Sequence, residues 1–507
     1  MADEQAPAKP KALRTATLLA LFVVGLVLRL YGLGSESLWY DELWAVRIAR
    51  MEPLEIMRAS LGDNNPPLYY LILHYWMLLV GHSEVAIRLP SAIAGALAVP
   101  LIYGIGSLLF SRAAGLMAAL ILSLSAYQIR YAQEGRAYAL LVFLALASFY
   151  FLERLLTDGN RSRLVTAGYV VSTTLLMYTH VYGILLVAAQ GVYLLATRQA
   201  LRKWLLPTGL VAVLYVPGVA WLAVNVLSSQ GAWNNAMFWV PEPTLAHVAE
   251  FFVLYSGSVL LAGAFGLLAA FALFDLVRSK QASTAWLLLA WLLVPIVVPF
   301  LVSHLYRPML LDRYTIAASP AFYLLVARGV EALRITKYSS VLVYARILFA
   351  IGVILFSLIA ALDYYAATTK EPWRQVAGYV DGHAQPGDLI LFYNGSGKVM
   401  FGYYFQSEDV TQEVVSVEGS SSSVTWKEMR SELAPAVESH RRVWLVLHWA
   451  DNPHVNRLLR KTLVKSSGGV EYHDVYNGKI DDPYKNWSTW YFQDHIVLFL
   501  FTERKTQ

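Results

Sequence analysis

Long apolar runs dominate this sequence and restrict where it can fold. Of its 507 residues, 57% are hydrophobic and only 15% are charged, and the mean hydropathy is +0.48. Soluble domains usually carry about a quarter charged residues. A membrane-spanning helix needs about 20 mostly apolar residues, and many such runs are present. The sequence therefore predicts a polytopic α-helical membrane protein.

Short basic clusters separate the apolar runs and set their orientation. Because Lys and Arg concentrate in cytoplasmic loops, we assign these clusters and the N-terminal tail, residues 1–14, to the cytoplasm. The clusters are Arg112, 153–163, 198–203, 278–280 and 328–337. About eleven transmembrane helices result, with the C-terminus outside the cytoplasm. The predicted spans are 15–33, 89–110, 113–128, 137–153, 164–180, 182–197, 204–223, 258–277, 284–303, 314–331 and 341–362.

The net charge of +5 is accounted for by these loops, so the expected partner is the bilayer and not nucleic acid. The chain has no Cys, which excludes disulfides and thiolate metal sites. No ligand pattern for a metal stands out. We therefore predict no certain cofactor, and a divalent metal is possible but unsupported.

One apolar segment, Pro66 to Val80, is short and opens with two prolines. Counting it as a span would reverse every later loop and place the basic clusters outside. Runs of this length are often interfacial. We predict a membrane-parallel helix within a first external loop of about residues 34–88, and we interpret Thr244 to Tyr255 in the same way.

The composition changes after about residue 365. We expect a transmembrane catalytic domain over 15–364 and a small soluble α/β domain over 365–507, on the extracytoplasmic side. Helices alternating with short apolar strands indicate βαβ units in this last part. The predicted elements are a helix at Trp373 to His383, a strand at Leu389 to Tyr393, a helix at Trp426 to Ser439, and strands at Val443 to Leu447 and His495 to Phe501.

Two adjacent acids, Asp41 and Glu42, follow the first span in the motif Trp39-Tyr40-Asp41-Glu42. Acids at a membrane surface are costly to bury without a function. One interpretation is a catalytic base with its partner. The other is an ordinary solvated acidic pair in a loop.

Further charged residues fall at the predicted outer ends of spans. Glu134 and Arg136 lie within Tyr127 to Tyr138, and Arg313 precedes the tenth span. The planar guanidinium suits phosphate. The alternatives are an external salt bridge for Glu134 and an interfacial anchor for Arg313.

His180 and Tyr182 lie between two apolar spans, where a lone His is more often structural than catalytic. The topology nevertheless places them on the same side as the acids and arginines, although it was assigned from other residues. Acids with several arginines at headgroup depth are typical of a site that takes a lipid-linked phosphate and activates a nucleophile.

Together these motifs resemble the GT-C membrane glycosyltransferases, specifically bacterial relatives of the protein O-mannosyltransferases and of the aminoarabinose transferase that modifies lipid A. The resemblance covers residues 15 to about 330, and Asn65 stands where the family often has His. The motifs are Trp39-Tyr40-Asp41-Glu42, Asn65-Pro66-Pro67-Leu68-Tyr69-Tyr70, Arg88-Leu89-Pro90-Ser91-Ala92, Tyr131-Ala132-Gln133-Glu134-Gly135-Arg136-Ala137-Tyr138 and Asp312-Arg313-Tyr314.

The resemblance implies transfer of a sugar from a polyprenyl-phosphate donor to a lipid, glycan or protein acceptor outside the cytoplasm, in the plasma (inner) membrane. Asp41 is then the expected general base, and Glu42 orients the acceptor or Asp41. Arg136 and Arg313 are expected to stabilise the phosphate.

Glu134 is expected to hold Arg136 in place, and His180 and Tyr182 to line the donor pocket. A transporter or flippase, a glycan ligase or polymerase, and a membrane scaffold are the alternatives to this function. A transporter typically shows internal repeats and mid-membrane polar groups, and neither is visible in this sequence.

Overall fold

The structure is a computed structural model of the whole chain. It describes residues 11–61, 63, 65–157, 162–198, 201–227, 240–333, 339–367, 370–392, 395–414, 439–440, 442–447, 470–471 and 497–502. The chain divides into two compact units. The larger comprises Met1–Leu33 with Ala45–Tyr365, and the smaller comprises Gly34–Trp44 with Ala366–Gln507.

A helix or a bent helical segment occupies each of the eleven ranges in which the sequence predicts a span. The α-helices of this set are α1 (Lys11–Leu30), α5 (Glu84–Leu109), α6 (Arg112–Leu124), α7 (Ala126–Ala132), α8 (Tyr138–Thr157), α9 (Arg163–Thr179), α10 (Tyr182–Thr197), α11 (Leu201–Leu214), α12 (Val216–Leu227), α14 (Val259–Arg278), α15 (Ala282–Leu305), α16 (Ser319–Ala332) and α17 (Ser339–Ala366). A 3₁₀-helix, Asp312–Ala318, leads directly into α16.

Five helices in the described part of the chain are long and apolar enough to cross a membrane, or up to seven if each bent pair counts as one span. The pair α6–α7 is bent by 58°, and the pair α11–α12 by 57°. α1 and α10 are apolar but shorter. The predicted number of eleven is therefore not confirmed, since the described part of the chain gives five to seven candidate spans.

Close packing of the helices depends on small residues. A Cβ added to Gly106 in α5 would lie 2.7 Å from the Cα of Gly115 in α6. Only glycine at both positions lets these backbones approach so closely, as at many membrane helix interfaces. Elsewhere rings fill the space, as where Phe149 stacks on Trp291 with centroids 3.9 Å apart.

Short helices make up the first predicted external loop. They are α2 (Tyr40–Ala49), α3 (Pro53–Ser60) and α4 (Leu68–Val80). At 13 residues, α4 is about 20 Å long and too short to cross a bilayer core. The second segment interpreted as interfacial forms α13 (Leu245–Ser256), which Thr244 caps. Both are helices, as predicted, and their position relative to a bilayer stays a prediction.

The smaller unit has a mixed five-stranded sheet. Its helices are α18 (Trp373–His383) and α19 (Gly395–Tyr404), and its strands are β1 (Leu389–Phe392), β2 (Thr411–Val414), β3 (Arg442–Leu447), β4 (Val470–Glu471) and β5 (Val497–Thr502). The order is β2-β1-β3-β5-β4; β1 pairs parallel with β2 and β3, and β5 runs antiparallel to β3 and β4.

The predicted helix at Trp373 to His383 and the three predicted strands are present, with strand ends shifted by one or two residues. The βαβ unit is β1–α19–β2, and the sequence did not indicate its helix. The predicted helix Trp426 to Ser439 lies outside the described residues, apart from Ser439.

The segment Gly34–Trp44 joins this unit through specific hydrogen bonds. Arg374 donates to the carbonyls of Gly34 and Ser35, at 3.3 and 2.8 Å. The Tyr404 hydroxyl accepts from the Leu38 amide at 2.7 Å. The start of the predicted external loop therefore packs with the α/β part of the chain.

Candidate functional site

The bend between α6 and α7 sets the direction of the chain that leads to Arg136, the first of the two candidate arginines. Ser125 occupies the break, and its hydroxyl caps α7 by accepting from the Gln128 amide. At the end of α6, the fully buried Arg29 donates to the carbonyls of Leu122 and Ser123, each at 3.2 Å. A helix end buried in an apolar setting needs such donors for its carbonyls.

The chain after α7 is fixed by the side chain of Gln133. Its amide nitrogen donates to the carbonyls of Arg29 and Tyr31, at 3.1 and 2.6 Å. Its amide oxygen accepts from the Tyr364 hydroxyl at 2.9 Å. Gln133 thus holds the backbone in place immediately before Glu134.

Glu134 and Arg136 follow in a tight turn, and both side chains are buried. The Arg136 amide donates to the Glu134 carbonyl at 2.7 Å. The Arg136 carbonyl accepts from the Ser91 hydroxyl at 2.9 Å. Since that hydrogen is used, Tyr69, 2.9 Å from the same hydroxyl, must be the donor to Ser91. Three of the motifs that carry the sequence resemblance therefore meet here.

A fourth motif reaches the same region through Asp312. The carboxylate of Asp312 accepts from the Tyr131 hydroxyl at 2.8 Å, and its carbonyl accepts from the Tyr127 hydroxyl at 2.7 Å. These bonds fasten the 3₁₀-helix to α7. Arg313, the next residue, is buried, and its guanidinium carbon lies 5.7 Å from the centre of the Tyr314 ring.

His180 lies in the two-residue break between α9 and α10, in a cluster of aromatic rings. Its ring centre is 4.9 Å from that of Tyr314, 5.6 Å from that of Tyr182 and 6.1 Å from that of Tyr138. Its Nδ1 accepts from the Tyr182 amide at 3.2 Å. In the neutral ring the hydrogen is therefore assigned to Nε2, which leaves that atom as a donor.

Arg136 and Arg313 both influence the protonation of His180 through their charges. Burial is the largest cause that lowers the His180 pKa, to about 3, and the charges of Arg136 and Arg313 lower it further. Burial and the Asp63 carboxylate raise the Tyr70 pKa well above its usual range, while Arg136 opposes them. Both guanidinium groups therefore act on one neutral imidazole.

Asp41 and Glu42 belong to the smaller unit, in the first turn of α2. Glu42 is fully buried, and its carboxylate lies 3.2 Å from the ammonium group of Lys370. It also accepts from the Trp39 amide at 3.4 Å. Asp41 is half-buried. The interpretation as a solvated acidic pair does not hold for Glu42.

The larger unit brings together five of the seven predicted site residues: Glu134, Arg136, His180, Tyr182 and Arg313. Sequence reasoning assigned no role to Tyr138, Tyr314 or Asp312, although all three lie within quoted motifs. It also missed Lys370, whose only signal is a Lys directly after an apolar helix. Among the described residues there is no group of three or more His, Asp or Glu side chains suited to a metal ion.

Comparison with known proteins gives a consistent fold. The family described as dolichyl-phosphate-mannose-protein mannosyltransferase matches residues 64–221 of this chain. No curated protein matches the sequence. Similar solved structures include ArnT from Cupriavidus metallidurans in the apo state, with 13% identity and a TM-score of 0.59 over 96% of this chain and 98% of that one.

The same ArnT bound to undecaprenyl phosphate matches with 13% identity and a TM-score of 0.56, over 97% and 99% of the two chains. The oligosaccharyltransferase AglB from Archaeoglobus fulgidus, in complex with an inhibitory peptide and a dolichol-phosphate, matches with 11% identity and a TM-score of 0.57, over 90% and 72%. The resemblance noted in the sequence is confirmed: this chain has the GT-C fold of membrane glycosyltransferases.

Proposed function

We propose that this protein transfers a sugar from a polyprenyl-phosphate donor to an acceptor hydroxyl, outside the cytoplasm and with inversion at the anomeric carbon. The observation that carries the proposal is the convergence of Arg136 and Arg313 on the neutral His180, inside a buried set of tyrosine rings. Two arginines beside a neutral donor suit a phosphate. The similar ArnT and AglB structures hold undecaprenyl phosphate and dolichol-phosphate.

The reaction is a single displacement. The acceptor hydroxyl gives its proton to the Asp41 carboxylate, and its oxygen attacks the anomeric carbon. The bond from that carbon to the phosphate oxygen breaks, and the electron pair leaves with the polyprenyl phosphate. Arg136 and Arg313 stabilise the charge that develops on the phosphate. With its low pKa, His180 stays neutral near pH 7 and donates from Nε2.

The remaining residues position these groups. Glu134 immediately precedes the turn that carries Arg136, and it holds that arginine in place. Tyr182 lines the pocket beside His180. Glu42 acts from its ion pair with Lys370 and orients the first turn of α2, from which Asp41 projects. In the proposed orientation, the eleven helical segments cross the plasma (inner) membrane, and the smaller unit lies on the extracytoplasmic side.

The test uses purified protein in lipid nanodiscs, with a radiolabelled polyprenyl-phosphate sugar and an extract of envelope lipids and glycans. We expect transfer of the label and release of polyprenyl phosphate. Asp41→Asn should bind the donor but not transfer. Unchanged turnover in Asp41→Asn would remove Asp41 as the base. In sealed vesicles that contain the protein, movement of intact donor across the bilayer without covalent transfer would identify a flippase.

A further inference from the structure

One hydrogen bond joins the two chain segments that carry the candidate arginines. The Tyr131 hydroxyl donates to the Asp312 carboxylate at 2.8 Å, across 181 positions of sequence, and both residues are buried. Tyr131 lies shortly before Arg136 in the chain, and Asp312 directly precedes Arg313. The proposed reaction gives no role to Tyr131 or Asp312, although their bond links the segments from which both guanidinium groups extend.

The Tyr131 end of this bond is held by aromatic packing. Tyr131 lies in the last turn of α7. Its ring packs edge-on against those of Tyr127 and Tyr138, with centroids 5.1 and 5.3 Å away. Edge-to-face contacts at this distance are favourable and orient both rings. The Tyr131 hydroxyl therefore has a defined position, to which Asp312 is tied.

The Asp312 end belongs to a weaker element. Asp312 begins the 3₁₀-helix Asp312–Ala318, which follows an irregular stretch over residues 307–311. A 3₁₀-helix has poorer hydrogen-bond geometry than an α-helix. The backbone therefore specifies the position of Arg313 less firmly than a regular helix would, and a side-chain contact from α7 contributes more to it.

A second contact to Asp312 is of a different kind. The Asp312 carbonyl accepts from the Tyr127 and Thr315 hydroxyls, each at 2.7 Å, so loss of one donor leaves the other. The bond from Tyr131 goes to the carboxylate, and hydrogen bonds to a carboxylate are stronger than those to a neutral carbonyl. Tyr131 therefore contributes more than Tyr127 to holding the residue before Arg313.

The Tyr131 hydroxyl also lies among the charges of the site. The groups whose charges act on it are the carboxylates of Asp312 and Glu134 and the guanidinium groups of Arg130 and Arg313. Electrostatic energies in a buried site depend strongly on distance, because little water screens them. A small displacement of this bond would therefore change how Arg313 interacts with an anion.

We propose that Tyr131 is a positioning residue for the donor phosphate, because its hydrogen bond to Asp312 sets the spacing between Arg313 and Arg136. The inference rests on the proposed function, in which both arginines bind that phosphate. Tyr131 and Asp312 act through Arg313 and do not touch the donor themselves.

The test measures equilibrium binding of radiolabelled undecaprenyl phosphate to the purified protein in detergent. Tyr131→Phe removes the hydroxyl and keeps the ring, and we expect the affinity to fall about tenfold. Tyr169→Phe is the matched control, since the Tyr169 hydroxyl is also buried and donates to a side-chain oxygen, that of Gln190, at 2.8 Å. The two variants should lose similar thermal stability, but Tyr169→Phe should keep the wild-type affinity.

A double-mutant cycle with Arg313→Gln separates positioning from a general loss of structure. If Tyr131 acts through Arg313, adding Tyr131→Phe to Arg313→Gln should weaken binding by less than about twofold more. Asp312→Asn keeps an acceptor oxygen for the Tyr131 hydroxyl, so it should bind the probe more tightly than Asp312→Ala.

Two results would overturn this role of Tyr131. One is unchanged affinity in Tyr131→Phe, and the other is an equal loss from Tyr131→Phe in the wild type and in Arg313→Gln. Both leave the proposed function standing if Arg313→Gln itself weakens binding. Unchanged binding in Arg313→Gln would overturn both the positioning role and the phosphate role on which it rests.

Discussion

Two arginines, the buried Arg313 and the half-buried Arg328, lie near opposite ends of one helical segment, and their surroundings differ. Arg328, in the last turns of α16, lies 2.6 Å from Asp275 and 3.1 Å from Glu331. Arg313, before α16, packs on Tyr314 and shares His180 with a second cation, Arg136. Two carboxylates lie against Arg328, whereas Arg313 and Arg136 both act on His180.

This difference can be used to test whether Arg328 has a structural role and Arg313 the proposed functional one. A charge buried in a membrane domain is expensive and needs either a partner or a function. The Arg328 cluster links α14 to α16 and is complete without a ligand. In the proposed function, Arg136 and Arg313 bind the phosphate of the donor. Four substitutions test this contrast.

The largest effect is expected from breaking the structural cluster. Arg328→Gln leaves the buried carboxylate of Asp275 and the half-buried one of Glu331 without their cation, so the free energy of unfolding should fall by about 3 kcal/mol. Thermal unfolding in detergent measures it. Transfer activity per folded molecule should stay near the wild-type value; a specific loss of activity in fully folded protein would contradict the structural role.

Arg313→Gln should lower activity and leave stability nearly unchanged, the converse of Arg328→Gln. We expect transfer to fall by about 10²–10³, the cost of losing one donor to developing charge, with thermal stability close to that of the wild type. Arg313→Lys keeps the charge but loses the planar fork and should recover only part of the activity. Arg50→Gln, at an exposed arginine of the same unit, is the control. Unchanged donor affinity and turnover in Arg313→Gln would remove the phosphate role.

The ion pair between Glu42 and Lys370, in the smaller unit, is a third environment for a buried charge. Glu42→Gln leaves Lys370 buried without a carboxylate, and we expect a loss of about 2 kcal/mol in stability. The double variant Glu42→Gln with Lys370→Met should recover most of this loss, since it removes both charges. Thermal unfolding and transfer activity are measured for both variants. A double variant that regains stability but not activity would show that the Glu42 charge itself acts in the reaction.

The smallest effect is expected at His180. Because its pKa is lowered to about 3, the ring should be neutral from pH 5 to pH 8 and contribute no step to the pH profile of transfer there. His180→Gln should lower transfer about tenfold through loss of one hydrogen bond with an anion, with the profile unchanged. A wild-type step near pH 6.5 that disappears in His180→Gln would show that the ring titrates.

The lowered pKa of His180 also makes the stability of the folded protein depend on pH. The unfolded chain binds a proton on His180 near pH 6.5, whereas the folded chain does so only near pH 3. The contribution of His180 to stability is therefore present above pH 6.5 and is lost as the pH falls toward 3. Unfolding of the wild type should be more acid-sensitive over this interval than unfolding of His180→Gln.

The sequence predicted the helices well because their signals are local. Twenty apolar residues between basic clusters specify a helical segment almost regardless of what packs against it. The same holds for β1 and α18, which follow local patterns of apolar residues and turns. The sequence missed α19, because its apolar residues show no clear periodicity, and it gave no signal for the antiparallel pairing of β5, which depends on distant parts of the chain.

The sequence alone selected the residues of the candidate site, because charged groups are rare in an apolar chain and those at the ends of predicted spans stand out. Only the tertiary structure decided which of them meet. The α6–α7 bend and the 3₁₀-helix bring Arg136, His180 and Arg313 together from separate parts of the chain. Packing likewise gave Glu42 the distant partner Lys370. Such contacts depend on bends and long-range packing, which local sequence patterns do not encode.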